Sequence, residues 1–424
     1  MHCLQCQHEN RTGAKFCEAC GSKLELTCPS CGNSVRPGAA FCDNCGAPLA
    51  RQSQVQSLKS QDQPLVVLMG LSRVYVVRGE LQTGRELAEH LMHLAQNVQD
   101  PALLLEAHEV LGWPLLWLGE VASAHKHVEQ SIALYNPQQH RSYAFRYWHD
   151  PGMACRSIAA WTLWFLGYPD QALQRSREAL TLARELSHPF SLAAALSFAG
   201  LLHQLRREEQ ITQERAEAAM SLSMEAEFPV WVAVAATLCG WARAEEGQGE
   251  EGIAQLRQGL AAWRAMGAET ISTWYLVMLA EAYGRTGQAE EGLTAPAEAL
   301  ITMDKNGERF YQAEIYRLKR TLTLQKFNVQ RSRFQVANPQ FPIPNPQAET
   351  EAEARFHEAI EIARRQQAKS LELRAVMSLS RLWQSQGKKE DARQMLAEIY
   401  NWFTEGFDTA DLKEAEALLE ELGH

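Results

Sequence analysis

Gly167-Tyr168-Pro169-Asp170-Gln171-Ala172 is the stretch on which the reading of this chain turns. Its glycine can end a helix in the left-handed conformation, its acidic residue favours the N-terminus of the next, and its small alanine lets two helices approach closely. The same grammar recurs at Gly79-Glu80, Gly119-Glu120, Gly249-Glu250-Glu251-Gly252, Gly287-Gln288-Ala289-Glu290 and Gly387-Lys388-Lys389-Glu390-Asp391-Ala392. From Gly79 to Gly287 the intervals are 40, 48, 82 and 38 residues, the long one concealing a degenerate turn near Arg206-Arg207-Glu208. Between the turns run Ala- and Leu-rich segments with helical spacing, as in Ala172, Leu173, Ala179, Leu180 and Ala183, which share one helix face. A hairpin of this kind cannot bury its apolar face alone, so repetition implies stacking. Residues 64–424 are therefore expected to form an all-α solenoid of about eight hairpins, closed by a capping helix over Thr409 to Leu422.

The chain has 424 residues, 46% hydrophobic and 22% charged, which is ordinary for a folded globular protein. Its 41 Lys plus Arg against 51 Asp plus Glu give a formal net charge of −10, repelling polyphosphates and anionic bilayers alike. Nucleic acid is not the expected partner, and neither is a membrane. The N-terminus shows no basic stretch leading into an apolar run, and no window approaches the ~18 uncharged apolar residues of a membrane span. A soluble cytoplasmic protein is expected.

Eight of the ten cysteines lie in the first 45 residues: Cys3, Cys6, Cys17, Cys20, Cys28, Cys31, Cys42 and Cys45. They spell CxxC, ten residues, CxxC, and after seven residues the same arrangement again. Two knuckles of this kind complete the four-sulfur tetrahedron of a structural zinc site, so two Zn²⁺ ions are expected. Gly21 and Gly46 follow the fourth ligands, and Phe16 and Phe41 precede the third, offering each small core an apolar plug. A redox dithiol would want one reactive pair on a βαβ scaffold rather than four repeated pairs. A catalytic zinc would need an open position that four thiolates close. His2 and His8 read as neighbours rather than ligands. Residues 51–63, polar but for Val55 and Leu58, read as a flexible tether.

Residues 3–49, with all eight ligands in place, resemble the double zinc ribbon family, which implies a small β-rich pair of ribbons at 1–50. The body resembles tetratricopeptide repeats: around Gly287, Leu279, Ala282 and Tyr283 precede the turn and Ala289 and Leu293 follow it, in helices longer than those of the ordinary repeat of about 34 residues. Residues 64–422 further resemble the C-terminal tetratricopeptide region of bacterial signalling proteins that join a double zinc ribbon to a class III adenylate/guanylate cyclase domain and an AAA-type ATPase. That likeness is densest at Asp150-Pro151-Gly152, Gly167 to Ala172, Gly259-Leu260-Ala261-Ala262-Trp263 and Trp402-Phe403-Thr404-Glu405-Gly406-Phe407. The middle of that architecture is missing: there is no Gly-x-x-x-x-Gly-Lys-Ser/Thr loop and no paired metal-binding aspartates in a cyclase-like setting. Neither activity carries over. The resemblance implies a non-catalytic scaffold in signalling, with a protein or peptide in the solenoid groove. The alternative is a regulatory remnant acting in trans on a cyclase or ATPase, and a minor one is nucleic-acid binding through the zinc ribbons.

Within the body, Arg141, Tyr143, Arg146, Tyr147, Trp148 and His149 interrupt two hairpins with basic and aromatic groups, a mixture able to form an anion or peptide pocket or simply to seal the junction. His125 and His127, two apart on a helix, point in different directions and read as solvated. Trp113, Trp117, Trp161, Trp164, Trp231, Trp241 and Trp274 fall on first helices of hairpins and read mostly as core. Cys155 and Cys239 read as small buried apolar residues. Residues 326–348, with four prolines and no acid, are expected to be an inserted loop. Pro114 and Pro296 are expected to kink the helices that hold them.

Overall fold

The computed structural model describes residues 63–140, 149–337 and 346–423, together with residues 44 and 144. All eight ribbon cysteines, the tether at 51–62 and residues 338–345 lie outside the described residues. The chain divides into two units, residues 1–66 and 67–424. The second is a stack of helical hairpins, and the described residues contain no strand.

The hairpins pair Gln63–Val77 (α1) with Leu81–Val98 (α2), Pro101–Trp117 (α3) with Val121–Leu134 (α4), Pro151–Leu166 (α5) with Pro169–Leu186 (α6), and Pro189–Leu205 (α7) with Glu209–Glu225 (α8). They continue with Pro229–Glu245 (α9) and Gly249–Ala265 (α10), Ser272–Arg285 (α11) and Thr294–Asn306 (α12), Gln312–Ala337 (α13) and Pro346–Arg365 (α14), and Lys369–Ser385 (α15) with Lys389–Tyr400 (α16). Ala410–Gly423 (α17) caps the array. Eight hairpins and a cap match the sequence reading.

The turns follow from backbone chemistry. Gly79, Gly119, Gly167, Gly287 and Gly387 all have φ between +73° and +93° at the stop of a first helix. In the fifth hairpin the stop is Gly247 (φ +93°), not Gly249, which already begins α10. In the fourth it is Arg207, held at φ +61°. With Arg207 and Gly247 in place, the stops at 167, 207, 247 and 287 are spaced evenly. Two other expectations change. Residues 326–337 are not an inserted loop but the C-terminal turns of α13, because none of the four prolines lies before Pro339 and nothing upstream breaks the helix. Pro296 sits in the first turn of α12, after a short turn of helix at Ala289–Gly292, where its missing N–H breaks no established ladder. Pro114 is inside α3, buried three residues before its end.

Hairpins one to four meet hairpins six to eight and the cap, five positions along the array. The last carbonyls of a helix lack intrahelical donors, and in α1, α3, α5 and α7 these carbonyls are taken up by the later hairpins. Glu269 N–H donates to Val77 O at 2.9 Å, and the Thr270 hydroxyl donates to Val76 O. Arg309 N–H donates to Trp117 O at 2.7 Å, Ser370 Oγ to Trp164 O at 2.5 Å and Arg374 Nη2 to Leu205 O at 2.6 Å. About five hairpins thus complete one superhelical turn, and the next turn stacks on the first. The axis between them is filled by aromatic rings from first helices and from Phe310 in the turn that leads into α13. Trp117 and Phe165 meet Phe310 at 4.9 and 5.8 Å between ring centroids, and Trp161 meets Trp274 at 5.6 Å. Trp161, Trp241 and Trp274 are essentially fully buried, as the core reading expected.

Candidate binding pocket

Where α9, α11, α13 and α15 run side by side and α17 follows along α15, the inner face of the array opens into a cavity of about 250 Å³. That is smaller than a drug-sized ligand site and large enough for one long side chain. Apolar walls come from Leu318, Leu322 and Met377, and Gly284 keeps the floor low, since a Cβ there would stand 3.0 Å from Leu322.

Most of the rest of the lining is charged, with Trp241, Ala280, Thr321, Gln325 and Ser378 between the ionic groups. Arg374, barely exposed, donates from Nε to Asp411 Oδ2 at 2.8 Å and lies with Nη1 3.6 Å from Glu314 Oε1. Arg317 holds Glu314 through two bonds of 2.8 and 2.6 Å. Arg207, projecting from its strained turn, donates to Asp411 at 3.1 Å and to Glu414 at 2.5 Å, and Arg381 reaches the other Glu414 oxygen at 2.5 Å. Arg285 pairs with Glu245. The arginines beside Asp411 and Glu314 hold both carboxyls below the usual carboxylate range although burial opposes it.

Glu281 differs from these. Its Oε2 accepts one bond, from Trp241 Nε1 at 3.2 Å, and among the described residues no cation pairs with it. Burial pushes its carboxyl up to about 7, the Glu314 carboxylate adds to the rise, and Arg374 pulls against both.

A second charged cluster lies in the early hairpins. Arg73 Nη2 donates to Glu109 at 2.5 Å and to Glu106 at 3.3 Å, and Glu109 also accepts from Trp113 Nε1 at 2.9 Å. Burial raises Glu106 to about 8, whereas the Arg73 guanidinium overcomes burial and drives Glu109 far down. His149 stands 3.1 Å from Glu109 and so joins this buried cluster. It is the one described member of the partner-binding set read from the sequence. Arg141, Tyr143, Arg146, Tyr147 and Trp148 lie outside the described residues. His125 and His127 do point apart, but they are half-buried rather than solvated: His127 meets His108 at 2.9 Å between Nδ1 atoms, and His125 meets Thr162 at 3.0 Å. Cys155 and Cys239 are buried, and burial raises both thiols, Cys239 to about 11. They are apolar filling, not nucleophiles.

The sequence reading missed the pocket. The signal available was a single carboxylate in an apolar helix: Glu281 is the only acid of α11 and Glu314 that of the first turns of α13.

Residues 3–46 match the family model Double zinc ribbon, and that family implies zinc binding. No curated protein matches the chain. Among solved structures, 132 chains match. A Rap protein complexed with competence and sporulation factor is 8% identical, covering 85% of this chain and 98% of its own with a TM-score of 0.52. NprR in complex with its cognate peptide NprX is 10% identical, with 85% and 97% covered and a TM-score of 0.48. A signal transduction ATPase with a tetratricopeptide repeat sensor, from Pyrococcus horikoshii, is 13% identical, covering 84% of this chain and 49% of its own at 0.41. The fold of the described residues is thus a tetratricopeptide-like helical-hairpin solenoid. No described helix is long and apolar enough to cross a membrane.

Proposed function

We propose that the protein is a non-catalytic interaction protein of the cytoplasm, serving a signalling system. Two zinc ions, one on Cys3, Cys6, Cys17 and Cys20 and one on Cys28, Cys31, Cys42 and Cys45, order its ribbons, and its solenoid receives a segment of a partner protein in the pocket. The observation that carries this reading is the pocket itself, an open recess walled by five helices in a superhelix whose axis is otherwise packed with its own aromatic rings. Apart from Glu281, its charged groups are paired with each other. That the similar Rap protein is complexed with a factor offers a precedent for a solenoid of this fold acting by binding. A narrower version, in which the partner is a nucleotide cyclase or an ATPase, rests on the resemblance of residues 64–422 and depends on the partner's identity.

The test is a displayed library of short peptides panned against the full chain, with the rim variant Gln325→Trp as the counter-target. Peptides that bind the wild type and lose at least tenfold in affinity on the filled pocket support the reading. Selected peptides that bind both proteins equally refute it.

A further inference from the structure

Each of the pocket's arginines already has an anionic partner: Arg207 and Arg381 on Glu414, Arg285 on Glu245, Arg317 on Glu314 and Arg374 on Asp411. An entering anion would have to break one of these pairs. Glu281 is in the opposite position. It lines the same recess on α11, its one bond comes from the neutral indole of Trp241, and no described cation pairs with it. A half-buried carboxylate with no ion-pair partner costs free energy, and a cation brought to it recovers part of that cost.

We infer that the pocket takes a cationic group, the ammonium or guanidinium of a ligand side chain, onto the carboxylate of Glu281. This rests on reading the pocket as the binding site and names the chemistry it selects. The surroundings agree. Leu318, Leu322 and Met377 offer an apolar wall for the methylene stem of a lysine or arginine, which buries its stem and keeps its charge for the end. The chain's net charge of −10 favours encounter with a basic partner.

Protonation couples to binding with a defined sign. The groups facing Glu281 are Glu245 and Trp241 from α9, Glu314 and Arg317 from α13, Arg374 from α15, and Arg285 on its own helix, with Asp411 of α17 tied up by Arg374 and Arg207. Burial above all, with Glu314 and Glu245 adding to it and Arg374 and Arg317 opposing it, holds Glu281 protonated up to about pH 7. A cation binds the ionised form, so its affinity rises as pH climbs through neutrality and its binding releases a proton.

The experiment pans the same peptide library against the full chain at pH 8 and pH 6, and against Glu281→Gln at pH 8. Glutamine keeps an acceptor for Trp241 and removes only the charge, and an unchanged thermal melt confirms that the variant folds. The expected result is a Lys or Arg at one fixed position among wild-type binders at pH 8. Exchanging it for Gln should lower affinity at least tenfold at pH 8, less than threefold at pH 6, and less than threefold on Glu281→Gln. Binders blocked by Gln325→Trp that carry no basic residue, or an acidic one, overturn the assignment to Glu281 while leaving the pocket reading intact. Binders indifferent to Gln325→Trp overturn the pocket reading itself.

Discussion

Replacing Arg374 by methionine tests the closure of the superhelix at its most buried tie. The guanidinium is barely exposed, bonds Asp411 at 2.8 Å and Leu205 O at 2.6 Å, lies 3.6 Å from Glu314, and stands 4.9 Å over the ring of Trp164. It therefore connects the eighth hairpin to the third, the fourth and the cap. Removing one member of a buried pair costs about 3–5 kcal/mol when the partner's charge is stranded. Here both carboxylates keep another arginine, Asp411 through Arg207 at 3.1 Å and Glu314 through Arg317, so the stranding is partial. Methionine also gives up the guanidinium's place over the Trp164 ring. The Leu205 carbonyl loses a donor it cannot replace, which adds about 1 kcal/mol. A loss of about 3 kcal/mol follows, at the lower end of the range.

The assay is urea unfolding followed by helical circular dichroism, with Asp411→Asn and the double variant completing a cycle. Coupling of about 1–3 kcal/mol between the two sites is expected for groups in direct contact. The form of the transition carries a second expectation. An open solenoid unravels from its ends, whereas ties across five hairpins join the ends of the array into one cooperative unit. The wild type should unfold in one step, and Arg374→Met should lose the helices of the last hairpin and cap first. A loss below about 1 kcal/mol with no coupling to Asp411 would refute the closure.

Other consequences can be checked independently. The purified protein should hold two zinc ions, and Cys17→Ser should release one while the helical signal stays intact, because binding energy is folding energy in such small sites; one zinc or fewer in the wild type speaks against two four-cysteine shells. Gly406→Ala places a Cβ 2.1 Å from the Pro169 ring at φ +78° and should cost about 2 kcal/mol or more in thermal unfolding. Gly387→Ala, at φ +80° with open space around it, should cost only the backbone strain of about 1 kcal/mol. Above about pH 6.5, where the histidines of the unfolded chain are neutral, Glu106 (about 8), Glu281 (about 7) and Glu308 (about 7) still hold protons that the unfolded chain has released, so stability falls as pH rises to about 8. Between about pH 4.5 and 6.5 the same carboxyls oppose His108, His125 and His127, which resist the protonation that the unfolded chain accepts, so the two sets offset each other there. A melting temperature rising steadily to pH 8 would contradict these assignments.

The hairpins were legible because their signals are local. A glycine at a helix stop states a backbone requirement within one residue, and Gly79, Gly119, Gly167, Gly287 and Gly387 all meet it. Gly249 misled because two glycines flank Gln248 and only the conformation distinguishes them. Arg207 was barely legible, since a non-glycine at positive φ persists only when its surroundings impose it, and its ties to Asp411 and Glu414 lie more than 200 residues away. The pocket was illegible for that same reason. Arg374 meets Leu205 at a separation of 169 residues, and no periodicity encodes such a pairing. Residues 326–337 were misread because the prolines that follow them were allowed to count against the helix before them.

The sequence phrases that carry the likeness to cyclase-linked signalling proteins now have a physical content. Asp150 caps α5 by accepting from Met153 N–H, Pro151 fills its first turn, and a Cβ on Gly152 would strike the ring of Tyr135 at 2.6 Å. Trp402 packs on Gly167, Glu405 accepts from the Asp170 and Gln171 amides, and Asp170 in turn accepts from Gly406 N–H. The phrases at Gly167 to Ala172 and Trp402 to Phe407 specify how one superhelical turn lies on another. The resemblance at those two phrases is therefore one of packing. Closure also creates the cavity: its walls combine the turn at Arg207 with α15 and α17, which meet because the turns stack. A ligand that binds there at a hundred times its Kd would add about 2.7 kcal/mol to the stability of the closed form. That is close to what the Arg374 tie contributes, so occupancy of the pocket and cohesion of the superhelix are thermodynamically one equilibrium.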